Sequence, residues 1–412
     1  MMEYGLIGEH LPHSFSPEIH RQLAEYHYTL CEFPPQQLAD FMRRRAFRGI
    51  NVTIPYKKAV IPLLDAIDPV AQICGSVNTV LNRNGRLYGY NTDFAGMDAA
   101  INCNGLSLYN KKVLILGTGG TAATAAAVAS HQRAASVVRV SRHPVGHAIS
   151  YAQALELHGD VEAVINTTPV GMYPHSDACP LDLRCFSACR MVMDTIYNPL
   201  RTCFQQNAAA QHIPAINGLY MLVAQAAGSA ALFTGDPISQ KRVRVIYDRL
   251  LRQKRNIVLI GMPGSGKTTV GRLLAAQLNR PFYDLDAVIV QQTGQEVRQI
   301  FEQQGEAAFR QLEKQVIAAV SANSGVVIAT GGGSILDPSN VVQLRKNGWL
   351  IWLDRPVEQL AIDPERPLAA DFPQVSALYQ QRQPFYREAA DETVKNTDLT
   401  KTVTELERAW KT

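Results

Sequence analysis

Residues 261–268 read G-M-P-G-S-G-K-T, and no other segment restricts the fold of this chain as much. Glycines at 261 and 266, closed by lysine and threonine, form a phosphate-binding loop. Such a loop works at a strand-to-helix junction, where backbone N–H groups and a helix N-terminus face one anion. The apolar run at 256–260 supplies the strand. The loop opens a domain of its own, yet it begins about two thirds of the way along 412 residues. Everything before it needs a separate fold. That earlier stretch carries a glycine loop of different design, G-T-G-G-T-A at 117–122. Two nucleotide-binding parts have been joined.

A chain of 412 residues exceeds one ordinary core and calls for two or three domains. Its apolar fraction of 46% and charged fraction of 18% are those of a globular protein. No apolar run is long enough for a bilayer, and residues 1–8 lack a signal-peptide layout. The expectation is a cytoplasmic protein with no membrane contact. Seven cysteines without a C-x-x-C pair suit free thiols in a reducing compartment. Cys179, Cys185, Cys189 and Cys203 lie near one another, but at no zinc-ligand spacing. The net charge of +4 suits small anionic substrates and is too weak to argue for nucleic acid.

The first hundred residues mix short strands (4–7, 49–53, 79–81) with helical stretches such as 19–26, and residues 87–92 end this segment at a polar N-T-D. Strands at 112–116, 136–140, 161–166 and 191–195 then alternate with helical patterns such as 122–130. This βαβ rhythm predicts a parallel, doubly wound sheet. Helices follow at 219–233 and 239–253, the second basic on one side. The run Arg43–Arg45 reads as a solvated helix face. No internal repeat is present.

Gly117-x-Gly119-x-x-Ala122 follows a strand and opens a helix, the context of a dinucleotide fingerprint. An NAD binder keeps an acid about 20 residues on, for the ribose hydroxyls. Here the strand ends at Ser141-Arg142, and a guanidinium there suits a 2′-phosphate, so NADP is expected. By themselves these residues leave open a plain alanine-rich turn beside a surface arginine.

Further blocks come in order: H-S-F-S-P (13–17), N-V-T-I-P-Y-K (51–57), G-S-V-N-T-V (75–80), N-T-D-F-A-G (91–96), I-N-T-T-P-V-G-M (165–172), D-T-I-Y-N-P (194–199) and N-G-L-Y-M-L-V-A-Q (217–225). Through these blocks the chain resembles shikimate dehydrogenase from its start to about residue 235. The resemblance implies that Lys57 and Asp93 are a catalytic pair that holds and relays a proton during ketone reduction. It implies that Ser14 and Ser16 bind the substrate carboxylate, that Thr53, Asn78 and Gln225 hold ring hydroxyls, and that Tyr197 closes over the ring or its carboxylate. Gly117, Thr118, Gly119, Gly120, Thr121, Ser141, Arg142, Thr195 and Gly218 are then the NADP-binding residues. Thr118 and Thr121 stand where alanines are usual, Ser141 where asparagine is usual, and Tyr220 where glycine is frequent.

In the second loop, the backbone of Gly264, Ser265, Gly266, Lys267, Thr268 and Thr269 cradles phosphates. Lys267 neutralises their charge and the Thr268 hydroxyl ligates Mg²⁺. Downstream stand F-Y-D-L-D (282–286), F-R-x-x-E (309–313), G-G-G (331–333), R-P-L (366–368) and R-Q-P-F-Y (382–386). With these the segment from about 256 resembles shikimate kinase. Asp284 and Asp286, two apart on what reads as an extended segment, are expected to point the same way. The resemblance implies that Asp284 supports the metal and that Asp286 takes the proton of the attacking hydroxyl. Asp286, Arg310, Gly332 and Arg382 bind shikimate, while Arg366 reaches the phosphates from a short lid. An arginine that often packs against adenine just upstream of that lid is missing.

The implied protein is a bifunctional α/β enzyme using NADP, ATP and Mg²⁺ on small molecules: NADPH-dependent reduction of 3-dehydroshikimate, then phosphorylation of shikimate. Its expected parts are a substrate domain at 1–100 completed by helices at 217–253, a Rossmann-like NADP domain at 101–216, and a P-loop kinase domain at 255–412. Two rivals remain: a quinate/shikimate dehydrogenase with NAD preference, and an inactive regulator of the quinate-repressor type. Arg142 argues against the first; Lys57, Asp93, Lys267, Asp286 and Arg310 argue against the second. The sequence sets no oligomeric state.

Overall fold

The structure, a computed structural model, describes residues 2–11, 14–360 and 372–411. His13 and Arg366 lie outside the described residues. The chain divides into two compact units, the first running to Arg249 and the second starting at Leu250. Among the described residues no helix is long and apolar enough to cross a membrane.

The first unit contains two sheets. Strands β1 (Met2–Gly8), β2 (Tyr28–Glu32), β3 (Phe47–Val52), β4 (Ala66–Ile67), β5 (Thr79–Arg83) and β6 (Arg86–Tyr90) form one, in the order β2-β1-β3-β5-β6-β4. Strand β1 pairs in parallel with β2 and β3, while β5 and β6 make an antiparallel hairpin. Its turn is Asn84-Gly85, both at positive φ, the backbone that a two-residue hairpin needs. The second sheet is wholly parallel: β7 (Lys112–Leu116), β8 (Ser136–Val140), β9 (Ala163–Asn166), β10 (Met191–Asp194) and β11 (Ala215–Ile216), in the order β11-β10-β9-β7-β8. Chain order reverses beside β7. The carboxyl end of β7 is therefore the switch-point crevice where such sheets bind ligands. Helix Thr92–Cys103 packs along helix Gly218–Thr234. A methyl group at Gly96 would stand 2.8 Å from the Met221 carbonyl oxygen, so only glycine permits that approach.

The second unit holds a parallel sheet of β12 (Asn256–Ile260), β13 (Phe282–Asp284), β14 (Val327–Ala329), β15 (Gly348–Asp354) and β16 (Glu392–Lys395), ordered β13-β14-β12-β15-β16. Every residue of β12 is buried, as an apolar central strand covered on both faces requires. The phosphate loop leaves β12 and feeds helix Lys267–Leu278.

Two local expectations change. Arg43 and Arg44 are exposed, but Arg45 ends helix Leu38–Arg44 in the left-handed conformation and pairs with Asp65 at 3.0 Å. Asp284 and Asp286 do not share an extended segment. Asp284 ends β13 and caps helix Leu285–Thr293, where Asp286 sits in the first turn. The cause is local: the Asp284 carboxylate accepts the Asp286 and Ala287 N–H groups, which turns the chain into a helix.

Candidate active sites

In the first unit, Lys57 lies on the short helix Tyr56–Ala59 that follows β3. Asp93 lies in the first turn of Thr92–Cys103, which Asn91 caps by accepting the Phe94 N–H at 3.1 Å. Lys57 Nζ meets Asp93 Oδ2 at 2.6 Å, with side-chain exposures of 15% and 8%. An ion pair so shielded keeps its geometry and loses little strength to solvent screening. Asn91 also donates to the Ser76 carbonyl at 2.8 Å and to Thr124 Oγ1 at 3.1 Å, tying this corner to helix Gly120–His131.

The glycine loop borders the stem of Lys57. A methyl group at Gly120 would lie 2.7 Å from Ser76 Oγ and 3.3 Å from Lys57 Cβ. Gly117 takes a φ of +116°, and Gly119 faces open space within 4 Å of its missing Cβ. That open cradle at a helix N-terminus fits a pyrophosphate. The Thr118 carbonyl accepts from Lys58 Nζ at 3.3 Å, and Thr121 is half-buried in the first turn of the helix. Thr195 donates its N–H and its hydroxyl to the Asn166 carbonyl at 3.0 and 3.1 Å. Gly218 packs so tightly on the Thr195 carbonyl that a side chain cannot stand between them. Ser141 Oγ bonds the His143 backbone, and Arg142 is exposed just beyond β8.

Asn78 and Gln225 meet across the unit at 3.3 Å, and Asn78 also accepts the Thr92 N–H at 2.8 Å. Behind them stands a network not anticipated from sequence. Asn51 donates to Thr79 Oγ1 at 3.0 Å and to Ser229 Oγ at 2.7 Å, and accepts from Tyr28 at 2.7 Å. These buried groups are satisfied by one another, so they fix the Asn78 and Gln225 amides in position. Thr53 follows β3, its N–H on the Ile7 carbonyl at 3.0 Å. Ser14 Oγ accepts the Ser16 N–H at 3.3 Å, and Ser16 begins helix Ser16–Leu23. The Phe15 ring packs on Tyr197 with centroids 5.1 Å apart, bringing Tyr197 beside the serine turn. Burial pushes the Tyr197 phenol pKa up, so it stays neutral. Just before it, the fully buried Asp194 accepts from Thr202 at 2.7 Å, from Asn166 at 3.0 Å and from the Ile196 N–H at 3.1 Å. Burial outweighs those bonds and raises its pKa to about 7.

In the second unit, Gly264 and Gly266 adopt φ of +77° and +91°. Lys267 Nζ is buried on the carbonyls of Gly261 and Met262, each at 2.9 Å. Ser265 Oγ is buried without a hydrogen-bond partner among the described residues. Thr268 Oγ1 contacts Asp284 Oδ2 at 2.6 Å, and Thr269 follows on the same helix. Curled glycines, an inward lysine and an unsatisfied hydroxyl fit polyphosphate, and the Thr268–Asp284 oxygens are the hard donors Mg²⁺ prefers.

Beside this loop the expected acceptor residues converge. A Cβ at Gly331 would stand 3.2 Å from Asp286 Oδ1 and 2.7 Å from Glu313 Oε1. One at Gly333 would stand 2.5 Å from the Arg310 guanidinium. Arg310 is held by Glu313 at 2.8 Å and Glu306 at 3.0 Å. Arg382 donates to the Gly332 carbonyl at 3.2 Å, and Tyr386 donates to the same oxygen. Glu313 also takes the Ser334 hydroxyl at 2.6 Å. It is the bracing group for Arg310, and its place in F-R-x-x-E, three residues on along one helix, was the available signal.

Two family models match the chain: shikimate dehydrogenase substrate binding domain over residues 6–80, and shikimate kinase over residues 263–409. A shikimate dehydrogenase (NADP(+)) of Clostridium perfringens is 32% identical over 268 residues, covering 61% of this chain and 98% of that protein. Shikimate dehydrogenase 1 of Peptoclostridium difficile superposes with a TM-score of 0.57 at 32% identity, covering 61% of this chain and 98% of the other. The Thermus thermophilus shikimate 5-dehydrogenase, solved with NADP(H) and shikimate, gives a TM-score of 0.55 at 31% identity, covering 60% and 99%.

Proposed function

Because the chain belongs to the shikimate dehydrogenase family and carries a shikimate kinase domain after it, we propose that it catalyses two consecutive reactions. The first unit reduces 3-dehydroshikimate to shikimate with NADPH. The second transfers the γ-phosphoryl group of ATP to the 3-hydroxyl of shikimate.

The observation that carries this reading is that a Cβ at Gly120 would stand 3.3 Å from Lys57 Cβ, which supports one site for the nucleotide loop and the Lys57–Asp93 pair. NADPH bound on that loop supplies the hydride. Lys57 Nζ gives a proton to the forming alkoxide oxygen, and Asp93 keeps the ammonium aimed. Ser14 and Ser16 receive the carboxylate; Thr53, Asn78 and Gln225 hold the ring hydroxyls; Tyr197 covers the ring. Arg142, beyond β8 with no acid beside it in the chain, supports NADP over NAD.

In the second unit ATP supplies the phosphoryl group, and Thr268 and Asp284 would hold an Mg²⁺ that would screen its charge. Asp286 takes the proton of the attacking hydroxyl at a carboxylate oxygen. Arg310 and Arg382 clamp the acceptor carboxylate, the geometry that guanidinium forks match. Lys267 exchanges its two carbonyl partners for phosphate oxygens.

The test is a pair of half-reactions on the purified chain: loss of NADPH with 3-dehydroshikimate, and release of ADP with shikimate, ATP and Mg²⁺. Both should proceed, the first faster with NADPH than with NADH. Absence of either half-reaction rejects that half of the proposal.

A further inference from the structure

Arg355 is the first residue beyond β15, and β15 is the hydrogen-bonded neighbour of β12 with Ile260 opposite Trp352. The parallel register delivers Arg355 and the phosphate loop to the same end of the sheet. One guanidinium nitrogen lies 3.7 Å from the point where a Cβ on Gly266 would stand. Nε is buried with no hydrogen-bond partner among the described residues. Among the described residues the guanidinium makes no hydrogen bond and no ion pair. The carboxylate of its neighbour Asp354 accepts Tyr379 OH at 2.9 Å. Asn396 braces the same corner, donating to the Ser265 carbonyl at 2.6 Å. A half-buried guanidinium with no counter-charge among the described residues is costly unless an anion completes it. The adjacent loop is built for such an anion.

We infer that Arg355 binds a phosphate group of the nucleotide held on the 261–268 loop, adding a cation to the site besides Lys267. The inference rests on the kinase reading above. Calorimetric titration of the full-length chain with Mg²⁺–ADP and with adenosine, alongside steady-state kinase kinetics, tests it in R355A, R355Q and R355K. Loss of one charge-assisted contact should raise the Kd for ADP and the KM for ATP about tenfold to a hundredfold in R355A and R355Q. Adenosine affinity, kcat at saturating ATP and NADPH-dependent turnover should hold, and R355K should recover most of the ADP affinity. R355Q keeps length and polarity, so it reads the charge even where R355A perturbs packing. ADP affinity within about twofold of wild type in R355Q overturns the inference while leaving kinase activity intact. Equal losses of adenosine and ADP overturn it in favour of a contact to the base. A wild-type chain that neither binds ADP nor phosphorylates shikimate overturns the inference and the kinase reading together.

Discussion

Substituting Lys57→Met separates the chemistry of the first site from its architecture. The methionine keeps an unbranched stem beside Gly120, where Lys57 Cβ and Cδ lie 3.3 and 3.6 Å from the position of a Cβ. The nucleotide loop therefore keeps its packing, and KM for NADPH should stay essentially unchanged. What disappears is the ammonium 2.6 Å from Asp93 Oδ2. A positioned acid contributes about 10²–10⁴ to a rate, so kcat should fall by that factor, or roughly 3–5 kcal/mol of barrier. Asp93, only 8% exposed in its side chain, then loses its counter-charge. Leaving a buried polar group unsatisfied costs about 1–3 kcal/mol, which should lower the unfolding midpoint of the first unit. The assay is NADPH consumption with 3-dehydroshikimate under saturating conditions, with ADP release from shikimate as an internal control that should not change. A loss of kcat below about tenfold would refute the assignment of Lys57 as the proton-handling group.

Three further outcomes follow from the geometry. The raised pKa of Asp194, about 7 against 3.8 unfolded, means the folded state holds a proton that the unfolded chain releases. Stability from this group is complete below about pH 4 and is lost by pH 7, on the order of 4 kcal/mol. Asp194→Asn should flatten that window in urea unfolding compared at about pH 5 and about pH 8, and identical pH slopes would contradict it. Gly333→Ala places a methyl 2.5 Å from a guanidinium nitrogen that Glu306 and Glu313 hold in place. Kinase KM for shikimate should rise about tenfold at little cost in kcat, and an unchanged KM would remove Arg310 from the acceptor clamp. Thr268→Val deletes the hydroxyl bonded to Asp284, so half-maximal kinase activity should need about ten to a hundred times more Mg²⁺. An unchanged metal requirement would rule out Thr268 as a ligand.

Strands β7 and β12 fall at the limits expected of them, because a buried parallel strand is a short apolar run cut off by a glycine loop or turn, and the edge strand β8 does so too although only Val140 is buried in it. Strand β2, Y-T-L-C-E, was not legible: its residues are only half-buried, and pairing with β1 rather than its own pattern makes it a strand. The hairpin turn at Asn84-Gly85 carried a readable signal in its dipeptide. Helix entry at Asp284 hid because a strand-ending aspartate and a capping aspartate look alike until the N–H groups it serves are known. Motif residues such as Lys57, Asp93, Asn78 and Gln225 do come together. The groups that steady them do not announce themselves, since Asn51 and Ser229 are 178 positions apart and meet only when helix Gly218–Thr234 returns.

The most direct test of the whole account starts from one substrate and ends with a product that only both sites can make. Purified chain is given 3-dehydroshikimate, NADPH, ATP and Mg²⁺, and the products are identified by phosphorus NMR and mass spectrometry. Shikimate 3-phosphate should accumulate, with one NADPH oxidised and one ADP formed for each molecule, and none should form without NADPH. Oxidation of NADPH with no phosphorus transferred to the shikimate produced would contradict the account.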